Sequence, residues 1–97
     1  MQNILVVSRN GIGSCIILKY KIEKILNDLR LFNYQVYHCS LNDMGKHDVD
    51  LIVTPANLSN DIKPINRVPI IALQNVMDDR ELKLELENWF KEVNILR

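Results

Sequence analysis

Apolar positions along this chain follow two rhythms. Ile4-Leu5-Val6-Val7 is a continuous apolar run, β-branched at three of its four positions. Such runs suit strands covered on both faces of a parallel sheet. Tyr34-Gln35-Val36-Tyr37-His38, Val49-Asp50-Leu51-Ile52-Val53 and Val68 to Leu73 are rich in β-formers and predict three more strands. Pro69 is tolerable only near a strand start or on an edge. Between these runs the spacing changes to a helical one. Leu18, Ile22, Ile25 with Leu26, and Leu29 mark one face of a helix from Ser14 to about Leu31, with Ser14 as a plausible N-cap.

Lys19, Lys21, Glu23, Lys24, Asn27 and Asp28 fall largely on its other side. Leu82, Leu86, Trp89 with Phe90, and Val93 mark a final helix, and Asp78 with Glu81 fits a capping box at its start. Ser40 to Asp48 reads as a short helix or loop broken by Gly45. Thr54 to Asn57 reads as a turn, Leu58 to Ile62 as a short helical turn, and Lys63 to Arg67 as a loop. Strands alternating with helices predict an α/β fold, a small doubly wound four-stranded parallel sheet flanked by helices, with residues 1–97 as one domain. In such sheets ligands bind beyond the carboxyl ends of the strands. Ser8 to Ser14, Thr54 to Leu58 and Gln74 to Met77 are therefore expected to meet, with Cys39 also at a strand end.

Composition narrows the chemistry. Of 97 residues, 47% are apolar and 25% charged, and twelve Lys and Arg balance twelve Asp and Glu. That balance leaves no electrostatic footprint for nucleic acid. No apolar run approaches the roughly 18 residues of a membrane span, and the start lacks the basic region of a signal peptide. Direct membrane insertion is not expected. Two cysteines, Cys15 and Cys39, are too few for a disulfide framework and have no metal-ligand spacing, so two reduced thiols in a cytoplasmic protein are expected. Neither a metal nor a cofactor is expected.

The first loop carries the candidate site. Ser8-Arg9-Asn10-Gly11-Ile12-Gly13-Ser14-Cys15 joins a strand to a helix start. Glycines let backbone N–H groups turn inward, and the helix start adds roughly half a positive charge, which together make a phosphate-binding loop after the first strand. Ser8 stands at the first loop position, where a nucleophile facing a bound phosphate would stand. Gly11 and Gly13 suit close backbone approach and positive φ. Arg9 is either a phosphate or partner ligand or a solvated arginine. Cys15 reads as a buried thiol where the helix packs on the sheet, and Cys39 as core packing. His38 and His47 read as structural or solvated, and the lysines of the first helix as a solvated face that also suits partner docking. A tyrosine-phosphatase loop, Cys-x5-Arg, is excluded because those positions are Ser8 and Ser14.

The chain resembles the enzyme IIB components of the bacterial sugar phosphotransferase system (PTS), in the ascorbate/galactitol-like superfamily. The pattern there is an apolar strand, Cys-x-x-Gly-x-Gly-(Ser/Thr)-Ser, and a lysine-bearing helix. Val6 to Lys19 follows it, and His38 to Leu41, Asp50 to Pro55 and Leu73 to Met77 add to the likeness. The resemblance implies a phosphocarrier. A phosphohistidine of a IIA protein passes its phosphoryl group to the first loop residue, which passes it to an ascorbate-, galactitol- or pentitol-like sugar held by a membrane-embedded IIC component.

One departure is consequential. The family's phosphorylated cysteine maps to Ser8, so the chain is a transfer-deficient form, either engineered or natural. A serine needs an adjacent base, none is evident in the loop, and a serine phosphate is a low-energy ester. The alternatives are a non-catalytic regulatory or protein-binding domain like those of PTS-controlled transcription regulators, and an unrelated anion-binding domain.

Overall fold

The structure, a computed structural model, describes residues 2–9, 13–46, 49–62 and 68–92, without the side chains of 14 and 44–46. Four strands are described: β1 (Gln2–Ser8), β2 (Tyr34–Ser40), β3 (Leu51–Pro55) and β4 (Ile70–Leu73). They form one parallel sheet in the order β2-β1-β3-β4. Three α-helices, α1 (Ser14–Asp28), α2 (Ala56–Ile62) and α3 (Asp79–Glu92), and a 3-10 turn over Leu41–Lys46 complete the described elements. The chain leaves β1 for β2 on one side and later returns to β3 on the other, so the topology reverses between β1 and β3. That is the switch point at which a doubly wound sheet opens a crevice.

Alternation along β1 divides the core into two. Ile4 and Val6 point to one face with Leu18, Ile22 and Leu26 of α1 and Leu82, Leu86 and Phe90 of α3. Leu5 and Val7 point to the other, with Ile52, Cys39, Leu58 and Ile62. Where β1 is covered on both faces it needs apolar side chains on successive positions, which explains the run from Ile4 to Val7. Phe90, fully buried, meets Tyr34 and Trp89 edge-on at centroid distances of 5.3 and 5.4 Å.

Several boundaries move from their expected places, each for a local reason. The N-cap of α1 is Gly13 and not Ser14, which is the first helical residue. Helix α1 ends at Asp28 because the chain turns left-handed at Arg30 (φ 58°). Arg30 N–H donates to Asn27 O at 3.0 Å and Leu31 N–H to Leu26 O at 2.8 Å, the paired bonds of a Schellman ending. Thr54 and Pro55 end β3 instead of forming a turn, since Thr54 and Pro55 pair with Ala72 and Leu73. Pro69 directly precedes the edge strand β4, where a missing N–H costs least.

The capping box at α3 is half formed. Asp78 Oδ1 accepts from Arg80 N–H and Glu81 N–H at 2.9 and 3.2 Å. Glu81 reaches back past Asp78 and accepts from Gln74 and Asn75 N–H at 2.7 and 2.9 Å. Its carboxylate thereby fixes the loop at the carboxyl end of β4. The loop over 63–67, His47 and Val93 lie outside the described residues.

Candidate functional site

Ser8 is the last residue of the central strand rather than the first of the loop, and only 8% of it is exposed. Its register partner on β2 is Ser40. The end of β1 is clamped on its other side, where Thr54 Oγ1, fully buried, donates to Val7 O at 3.0 Å. Ser8 has the parity of Ile4 and Val6, so its side chain points toward α1. There it shares a hydrogen bond with the thiol of Cys15.

Cys15 sits in the first turn of α1 and is almost wholly buried. Its Sγ–H lies 3.4 Å from Val6 O and 3.9 Å from Cys39 O. Burial pushes the thiol above its ordinary value, more than the bonds to Ser8 and Cys39 pull it down. At neutral pH it is a protonated thiol and no base for Ser8. Cys39 is pushed up to about 11, by burial first and then by Cys15 and Asp43. The two cysteines belong to opposite faces of the sheet, so no disulfide can join them without breaking the sheet apart.

Gly13 holds φ 71° and ψ −117° at the entrance of α1, a region closed to side chains by steric contact with the backbone. Its carbonyl receives Ile16 and Ile17 N–H at 3.1 and 3.4 Å. Among the described residues no side chain caps this end of α1, and no acidic residue stands in its first turn. A helix start so arranged keeps its positive end available to an anion. Arg9 is exposed beside it. Asn10, Gly11 and Ile12 lie outside the described residues.

This end of the sheet also gathers the other expected segments. β3 ends at Pro55 and β4 at Leu73, each parallel to β1. Lys21 belongs to no solvated face: its Nζ lies 2.7 Å from Asp79 Oδ1 and 3.5 Å from Met77 O, tying α1 to the loop after β4. An open groove of about 510 Å3 lies at the opposite end, between α1 and β2, lined by Leu26, Leu31, Phe32 and Tyr34 among others.

Residues 3–88 match the family model of the lactose/cellobiose-specific IIB subunit of the PTS. The chain belongs to the PTS IIB family. It is also similar to the ascorbate-specific PTS EIIB component of Mycoplasma pneumoniae, at 28% identity over 86 residues that cover 87% of this chain and 90% of the relative. PTS IIB components work with IIA and IIC proteins. Among the described residues no helix is long and apolar enough to cross a membrane, and no group of three or more His, Cys, Asp or Glu side chains could hold a metal ion.

Within this IIB fold two polar partners escaped the sequence reading. Asp43, in the 3-10 turn, accepts from Ser40 Oγ–H at 3.0 Å. The spacing Ser40-x-x-Asp43 was the available signal, masked because the segment read as an undivided polar stretch. Glu81 fits a capping box by its spacing from Asp78 equally well, which hides its bonds to Gln74 and Asn75 N–H.

Proposed function

We propose that this protein is a sugar-specific IIB component formed by one IIB domain, with Ser8 in the phosphoryl-acceptor position and residues 9–15 as the phosphate cradle. The observation that carries the reading is Ser8 at the carboxyl end of the central strand, beside the switch point and against the uncapped start of α1. Phosphoryl transfer asks for in-line positioning and donors for the equatorial oxygens rather than for covalent chemistry. Backbone amides at the very start of α1 and the helix dipole suit that role. A IIA phosphohistidine delivers the group, and a IIC component presents the sugar.

The sugar is of the ascorbate, galactitol or pentitol type, a reading supported by likeness to the ascorbate-specific relative. Ser8 makes the chain deficient in the second transfer. A thiophosphate at that position retains enough transfer potential to phosphorylate a sugar, whereas an alkyl phosphate ester does not.

The test is reconstitution with the general PTS proteins, a matching IIA and labelled phosphoenolpyruvate. Ser8→Cys is expected to take label and, with IIC membranes, to pass it to sugar. The unaltered chain is expected to pass none. Absence of label on Ser8→Cys would replace this reading with that of a non-catalytic, protein-binding IIB-like domain.

A further inference from the structure

We infer that Ser8 accepts and keeps a phosphoryl group as a stable phosphoserine, with Asp43 taking its proton through Ser40. The inference rests on the IIB reading above and adds the base that the loop lacks. Ser8 and Ser40 are register partners on adjacent parallel strands. Both follow the parity of the α1-facing positions, Val6 on β1 and Val36 on β2, so their side chains leave neighbouring strands on one face of the sheet. Ser40 commits its only proton to Asp43, at 3.0 Å. What its oxygen still offers is lone pairs, and a hydroxyl in that condition can only accept from a neighbour. Asp43 is exposed, so a proton arriving there passes to water.

Cys15, the present hydrogen-bond partner of Ser8, cannot serve as the base because burial raises its thiol pKa. The proposed step requires a χ1 rotation of Ser8 away from Cys15 to the side of its register partner Ser40, a motion side chains make in picoseconds to nanoseconds.

The step balances. The donor is a phosphohistidine whose second ring nitrogen carries a proton. The P–N bond breaks with its electron pair on nitrogen, and the imidazole leaves neutral. A bond forms between Ser8 Oγ and phosphorus. The Ser8 proton moves to Ser40 Oγ as the Ser40 proton moves to the Asp43 carboxylate. No oxidant, metal or further reactant enters. The product is an ordinary phosphate ester, so the phosphoryl group stops on this chain.

A cysteine at position 8 needs far less help, because a thiol ionises much more readily than a serine hydroxyl and its thiolate is intrinsically nucleophilic. The test uses that difference. Label from phosphorylated IIA is followed on the unaltered chain and on Ser8→Cys, each with and without Asp43→Asn, and circular dichroism checks the fold. The expected result is acid-stable label on Ser8, slowed about 100-fold by Asp43→Asn, as general-base loss does. Asp43→Glu restores part of the rate, Ser40→Ala repeats the loss, and Asp43→Asn leaves Ser8→Cys within about twofold of its own rate.

Label on Ser8→Cys with none on the unaltered chain overturns the inference and leaves the IIB reading standing. An equal loss in both backgrounds also overturns it, since Asp43 would then only hold the turn after β2. No label on any variant removes the IIB reading and this inference with it.

Discussion

Gly13 shapes the candidate site through its backbone alone. At φ 71°, a Cβ there would meet nothing within 4 Å, so crowding is not the constraint. Backbone strain is. Gly13→Ala is expected to lower unfolding free energy by about 1–3 kcal/mol in urea titration, a loss that leaves packing intact. The two thiols make a second residue-scale case. Cys15 and Cys39 both hold their protons more tightly than free thiols, so the folded protein should resist iodoacetamide at neutral pH and react once unfolded. The sign of the linkage follows. A group with a raised folded pKa contributes its full stability below the unfolded value, here 9.0, and loses it as pH rises through about 11. Melting temperature is expected to fall across that alkaline window. Burial of both thiols was legible from the sequence, whereas their hydrogen-bond partners and opposite faces of the sheet were not, because those depend on strand order.

Element ends tell a related story. The apolar spacing placed α1 and α3 correctly, since Leu18, Ile22 and Leu26 and then Leu82, Leu86 and Phe90 all reach the core. It missed the end of α1, because a left-handed arginine carries no distinctive sequence mark. Arg30→Gly is expected to raise stability by about 0.5–1 kcal/mol, as relief of a left-handed Cβ offsets the added freedom of the unfolded chain. Phe90→Ala, by contrast, empties a fully buried position and is expected to cost about 3–5 kcal/mol in the same measurement. Glu81→Gln keeps the shape but weakens two charge-assisted bonds to Gln74 and Asn75 N–H. Hydrogen exchange at those two amides should then quicken while that of the β1 core stays unchanged.

At the scale of the whole molecule, strand order decides what the site contains. The order β2-β1-β3-β4 sets β1 in the interior and puts its end beside β2 on one flank and β3 on the other. Ser8 thereby gains Ser40 as a neighbour, and Val7 gains the Thr54 hydroxyl. On the proposed reading, Ser8→Cys is expected to confer sugar phosphorylation in the reconstituted system without moving the melting temperature by more than a few degrees, because one small buried side chain replaces another.

The sequence by itself determined the α/β class, the four strands, both long helices and the positive-φ glycine, Gly13, ahead of α1. Each of these rests on local rhythm or local turn chemistry, which neighbouring residues carry in full. Tertiary structure alone decided that Ser8 turns inward onto Cys15, that the cysteines face opposite sides of the sheet, and that Lys21 binds Asp79. It alone set Ser40, with its bond to Asp43, beside Ser8. Most of those relations join residues far apart in the chain, and only the pairing of strands and the packing of helices brings such residues within reach.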